Sequence, residues 1–352
     1  MKGTQGDLWH IDAIKAIASQ LIVWHHLVAY GPMAETIYPH AEDLIDWLYS
    51  HARQAVQAFL VVGGYLAARS FCSARSPSAS RIALAGLPRL IWSRYVRLAR
   101  PYLVAIALAI LSAAIARALI DDTDTPASPS LWQILMHALF IHDLADVPAL
   151  SAGVWYVAID LQLYALFALS LWMSQRLAAM ASIDSGYMAA AACLMLTVAS
   201  LLWVNRNPAL DGWAPYFFGA YGLGIMAYWA SRTPSKSAWL AGMVALLIAA
   251  LWVDWRSRIA IAGATAMVLA TAPAFSWSPG KHLKGIAGRL GKMSYSLFLA
   301  HYPVGLLLGA VVAWLWPRNP VMNGLGIVLA WLLSLAAASA MYALLEQKKV
   351  RA

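Results

Sequence analysis

Asp12, Lys15, His25 and His26 lie within Ile11 to Ala29, a stretch otherwise apolar enough to span a membrane. A charged side chain near the centre of a spanning helix costs about 2.5–3.5 kcal/mol on insertion scales, so these groups are expected to face a polar cavity and to carry a task. Eleven positions separate Lys15 from His26, which on a helix puts both within roughly 20° of one face and roughly 16 Å apart along the axis. Asp12 precedes Lys15 by three residues and can pair with it. His25 is offset by about 80°, so His26 is the imidazole predicted to share the Lys15 face and to act as a base.

Three further constellations carry polar chemistry. Arg94-Tyr95-Val96-Arg97-Leu98-Ala99-Arg100-Pro101-Tyr102 is expected to open the third span with a band of cations, and helix starts and guanidinium groups both suit phosphate. The same arginines would equally serve as anchors to lipid headgroups. Trp155 to Tyr164 places Asp160 and Gln162 at membrane depth behind an interfacial Trp155-Tyr156 pair. Gly291 to His301 brings Tyr295 and another intramembrane histidine, His301. Asp160 and His301 are each eight to ten residues in from opposite faces of the expected spans. Both are therefore expected near mid-membrane, lining an acceptor-side cavity near His26 or tying helices together.

The elements that must hold these groups are helices in a bilayer. The 352 residues are 62% hydrophobic and 12% charged, with mean hydropathy +0.64, outside the range of soluble domains. Apolar windows predict ten spans, near 9–30, 50–72, 98–119, 152–174, 187–204, 213–231, 238–254, 258–275, 291–315 and 325–345. The segment 131–142 is too short to cross and reads as a half-helix. An all-α polytopic protein filling residues 1–352 as one membrane domain is expected. With the N-terminus inside, only Arg53, Arg117, Arg206, Arg256, Arg258 and Arg318 of the 25 Lys and Arg residues fall outside. That bias predicts an N-in, C-in topology and accounts for the net charge of +9 without nucleic acid. Glu35, Glu42, Asp43, Asp46, Asp121, Asp122 and Asp124 go to outer loops. No cleavable leader is evident, and Cys72 and Cys193 are expected to be plain apolar packing.

Five motifs in order resemble the acyltransferase-3 family of integral membrane acyltransferases. Lys15 and His26 are similar to its basic residue, ten intervening positions and His. Ala55 to Leu66 resembles its second-span pattern, Arg94 to Tyr102 its arginine-rich motif, Trp155 to Tyr164 its Trp-to-Tyr motif, and Leu290 to His301 its late Gly-x-x-Ser-Tyr motif. Lys15 stands where the family more often has Arg, Asp160 where Glu is usual, Gln57 where an acid is common and Gly63 where Ser is common. The resemblance implies a stand-alone member, without a fused hydrolase-like domain.

It further implies transfer of a short acyl group, by default acetyl, from cytoplasmic acyl-CoA to a sugar hydroxyl of a cell-surface or lipid-linked glycan. Acyl-CoA would be a co-substrate, with no permanently bound cofactor and no metal. His26 would take the hydroxyl proton, with Lys15 and Asp12 beside the donor. Arg94, Arg97, Arg100 and Arg69 would hold CoA phosphates. Trp155, Tyr156, Asp160, Gln162, Tyr164, Tyr295 and His301 would line the substrates. The expected location is the bacterial inner membrane, with glycan-assembly proteins as partners. A transporter or flippase is the rival reading, but no duplicated half with matching broken helices is present. A nucleotide-binding loop ending at Lys292 is excluded, because Ile286 and Met293 replace the required Gly and Ser/Thr.

Overall fold

The computed structural model describes residues 8–71, 86–274 and 279–347. Cys72, and the charges Lys2, Arg75, Arg81, Lys348, Lys349 and Arg351 used in the orientation argument, lie outside them. Every regular element among the described residues is a helix: α1 (Trp9–Ala29), α2 (Pro32–His51), α3 (Val56–Phe71), α4 (Leu87–Leu119), α5 (Leu131–Ala138), α6 (Trp155–Ala181), α7 (Ser185–Leu202), α8 (Ala214–Arg232), α9 (Lys236–Val253), α10 (Ser257–Thr271), α11 (Lys281–Lys292), α12 (Ser294–Leu315) and α13 (Pro320–Met341). Side-chain caps mark several starts. The Ser130 hydroxyl accepts from Gln133 N at α5, Asp184 from Gly186 N and Tyr187 N at α7, and Asn319 from Met322 N at α13, as helix N-termini require.

Seven helices are long and apolar enough to cross a membrane: α4, α6, α7, α9, α10, α12 and α13. The other three expected spans are α1, α3 and α8. The first is diluted by its polar residues, and α3 has only 16 residues. In α8, glycine and tyrosine replace bulk aliphatics.

Three expectations are corrected. The acidic outer loop between the first two spans is the helix α2. Its buried Met33, Ala34, Ile45 and Leu48 form an apolar stripe that Pro39 and the acids obscure in sequence. The third span does not begin at the arginines. Its helix starts at Leu87, because Arg and Leu propagate a helix into the polar layer where a hydropathy window sees no span. The arginine band therefore sits inside α4 and gains nothing from a helix N-terminus. The ninth span is preceded by a separate amphipathic helix, α11, with Leu283 and Ile286 exposed.

The chain folds as two compact units, and each is built from separated stretches: residues 1–15, 56–94 and 159–291 in one, residues 16–55, 95–158 and 292–352 in the other. The first unit centres on α8, buried from Tyr216 through Ala230. Glycines set its packing. A Cβ on Gly64 of α3 would fall on the Tyr221 carbonyl of α8, and a Cβ on Gly224 of α8 would fall on the Val61 carbonyl of α3. The two backbones thus meet reciprocally, as small residues permit between membrane helices. Gly222 and Gly219 make the same kind of room for Thr197 and Leu201 of α7.

In the second unit α12 and α13 pack on α2, with Gly326 against Met33 and Val312. Trp331 Nε1 donates to Gln20 Oε1 at 2.8 Å, and Tyr295 and Tyr95 donate to the carbonyls of Leu98 and Ala138 at 2.9 and 2.8 Å. Gly64→Val is expected to cost at least about 1–3 kcal/mol through overpacking at backbone contact. Gly242→Ala, where an added Cβ meets nothing within 4 Å, should leave stability unchanged or raise it slightly. Thermal midpoints of the two purified variants in detergent check this.

Candidate functional site

His301 is placed by α12 so that its Nδ1 faces the Leu297 carbonyl one turn back, at 3.1 Å. A carbonyl only accepts, so in the neutral ring Nδ1 carries the proton and Nε2 carries a lone pair. That Nε2 lies 2.7 Å from His26 Nδ1. His26 Nδ1 must then be the donor, which leaves the lone pair of the His26 ring on Nε2. The rings differ by 8° in plane, with centroids 4.8 Å apart, the arrangement of an in-plane N–H···N bond. Leu297, His301 and His26 form one directed relay, and its open end is a nitrogen able to take a proton from a hydroxyl.

Two neighbours hold His26 in place. Gly153, at φ +79°, lies where a Cβ would stand 3.3 Å from His26 Cε1 and 2.9 Å from Phe298 Cζ. Only glycine combines that backbone conformation with that approach. Phe298 in turn packs edge-on to Tyr156 at 5.5 Å. His25 has a different task. It is buried, and its Nδ1 meets the Leu48 carbonyl of α2 at 3.3 Å, so it ties α2 to α1. A cavity of about 30 Å³, room for about one water, opens beside the relay, lined by His26, His301, Tyr30, Tyr302, Gly305 and Gly309 among others.

The other sequence-predicted residues sort by partner. Asp160, 6% exposed, takes Arg94: Nη2 and Nε of the guanidinium donate to Oδ2 at 2.6 and 3.2 Å. Asp160 was expected to line a cavity near His26, orienting an imidazole or hydrogen-bonding a sugar hydroxyl, or else to tie helices together. Arg94 also stands 5.2 Å over the Tyr164 ring. It was expected among the phosphate ligands, but it is a half-buried group compensating a buried carboxylate. Arg97 and Arg100 are exposed on α4, and Arg69 is half-buried in the last turn of α3. Lys15 and Asp12 pair at 3.8 Å as expected. Gln162 is engaged at both ends of its amide, by Gly212 O and by the N–H of Ala214 that begins α8. Tyr295 holds α12 to α4 through Leu98. Trp155 and Tyr156, both half-buried, open α6 edge to face.

Sequence reasoning missed Gly153 and a second histidine pair. His137 and His142 stack at 4.1 Å, and His137 binds Gln133 O at 2.8 Å and accepts from Leu150 N at 3.0 Å. These bonds brace the loop that leads to Gly153. Burial pushes both imidazoles down to about 4. In the run Leu150-Ser151-Ala152-Gly153-Val154-Trp155 the glycine carries no signal that its missing Cβ matters.

Among the described residues no group of three or more His, Cys, Asp or Glu is arranged to hold a metal. A family model described as an acyltransferase domain, acyltransferase-3, matches residues 8–343. No curated protein and no solved structure matches the chain significantly.

Asp160→Asn keeps the shape of the side chain but leaves Arg94 without its counter-charge, so a loss of roughly 1–3 kcal/mol in thermal stability is expected. Because the folded pKa of His137 and His142 lies below the unfolded value near 6.5, their contribution is complete above that value. It is lost as pH falls toward about 4. Thermal midpoints should therefore decline across that window, and less steeply in His142→Phe.

Proposed function

Since the chain belongs to the acyltransferase-3 family and is a multi-pass membrane acyltransferase, we propose that it transfers a short acyl group, by default acetyl, from acyl-CoA to a hydroxyl of a cell-surface or lipid-linked glycan. The observation that carries this reading is the directed relay from Leu297 O through His301 to His26. A sugar hydroxyl is a weak nucleophile, and a fixed neutral imidazole with its lone pair outward is the group that activates one. His26 Nε2 takes the hydroxyl proton, the oxygen forms a bond to the acyl carbonyl carbon, and the carbon–sulfur bond breaks. The proton leaves with the CoA thiolate. His301 keeps the tautomer and stabilises the imidazolium through the bond to Nδ1.

The donor is polyanionic, and the exposed Arg97 and Arg100, with Arg69, are the cations suited to its phosphates. Lys15, neutralised in part by Asp12, serves the donor side of α1. Acyl-CoA is a co-substrate, so no permanently bound cofactor is required. The bias of Lys and Arg to one side supports an N-in, C-in orientation and a place in a bacterial inner membrane beside glycan-assembly proteins.

Release of CoA thiol and labelling of glycan by purified protein test the reading. His26→Ala should lower turnover by about 10²–10⁴-fold, while His25→Ala, at equal membrane abundance, should keep most of it. His301→Gln, whose amide oxygen can still accept from His26 Nδ1, should retain more activity than His301→Ala. Arg97→Ala should raise the donor KM with kcat little changed. Loss confined to the His25 variant, or no thioester consumption by the wild type, would refute the assignment.

A further inference from the structure

A second, larger cavity adjoins the one beside the histidine relay. The two share Gly31 and Asp124 as wall, and the outer one measures about 440 Å³, within the usual range for small-molecule sites. It is lined by Glu35, Tyr38, Asp46, Tyr49 and Asp124. α2 supplies the first four, so this wall exists only because the acidic segment is a helix. Asp46 accepts from the Tyr38 hydroxyl at 3.4 Å. Glu35 and Asp124 are exposed, and among the described residues neither carboxylate has a hydrogen-bond or ion-pair partner, the Asp124 backbone N–H alone donating to Asp122 Oδ1. No lysine or arginine lines either cavity.

The inner cavity points to a ligand independently of these acids. Tyr302 is 8% exposed and lines it, yet its hydroxyl has no hydrogen-bond partner among the described residues. The hydroxyl is not sealed off by protein, unlike those of Tyr102 and Tyr221, so it is open to hydrogen-bond a hydroxyl or water in the cavity. Tyr30 stands edge-on to it at 5.9 Å and is 46% exposed. Its ring lines the inner cavity and lies 5.7 Å from that of His26.

We propose that the two cavities form one acceptor site for an uncharged or amino-bearing sugar, and that the carboxylates of the outer cavity reject acidic sugars. This rests on the acyl-transfer reading above and adds the charge class of the acceptor. The inner cavity admits only the hydroxyl to be acylated, between His26 and Tyr302. The rest of the ring sits in the outer cavity. There the apolar C–H face of a pyranose packs on tyrosine rings, and its hydroxyls donate to Glu35, Asp46 and Asp124 as short charge-assisted bonds. A sugar carboxylate, phosphate or sulfate would meet three like charges with no cation to offset them. Exclusion by repulsion is a standard source of specificity.

Methyl glucoside, methyl glucosaminide and methyl glucuronide share one ring and differ in charge, which makes them suitable probes. Their binding to the purified protein is measured by saturation-transfer NMR with a chelator present, and donor thioester consumption is followed separately. The glucoside and glucosaminide should bind at least about tenfold more tightly than the glucuronide. In the double variant Glu35→Gln, Asp124→Asn that preference should shrink toward unity, with the glucuronide gaining. Equal binding of glucuronide and glucoside to the wild type, or discrimination unchanged in the double variant, overturns the proposal. Donor consumption without binding of any probe also overturns it and leaves acyl transfer standing. Probe binding with charge discrimination but no thioester consumption supports the sugar site and refutes the acyl-transfer reading instead.

Discussion

A polar side chain at membrane depth has no water to turn to, so each one in this protein must find its partner inside the chain. That constraint explains most of what the structure does with its intramembrane histidines, carboxylate and amides. His301 is spoken for by Leu297 and His26, His25 by Leu48, Asp160 by Arg94, Gln20 by Trp331 and Gln162 by the start of α8. In most of these pairings both groups end satisfied. At His26 the chain of donors and acceptors runs in one direction and terminates on an open nitrogen.

Directionality comes from the backbone. A carbonyl at Leu297 can only accept, and this fact propagates through two rings to set the proton on His26. Gly153 fixes the position of that ring by leaving out a side chain. The same economy appears in the first unit, where Gly64 and Gly224 let α3 and α8 touch through their carbonyls. Close helix contact there positions Gly63 beside Asp160 and Tyr221, at 3.5 and 3.4 Å from an added Cβ. A serine at that position, as is common in the family, would bring a hydroxyl to the edge of the Arg94–Asp160 pair.

α2 shows how a segment can serve two solvents. Its apolar stripe seats it on α12 and α13, while its acids and tyrosines face a cavity. Pro39 and the bend at Ala41, where φ and ψ are −147° and 33°, break the helix enough to turn the two halves separately. Because this segment is a helix, the cavity beside the relay adjoins a second one walled by its acids and tyrosines.

Much was legible in the chain itself, because hydropathy and charge placement follow from the bilayer alone. The all-helical membrane class, most of the span positions, the short α5 and the Asp12–Lys15 pair follow from period and composition. The meeting of His26 with His301 was anticipated only as shared depth, since residues 275 positions apart acquire a partner through packing. Three matters were decided by tertiary structure. Arg94 went to Asp160, because a buried carboxylate attracts the nearest guanidinium more strongly than any solvated ligand would hold it there. α2 became a wall, because its apolar stripe is recognisable only once α12 and α13 are present to cover it. Gly153 became indispensable through what stands next to it, and a glycine's missing side chain has no meaning until its neighbours are in place.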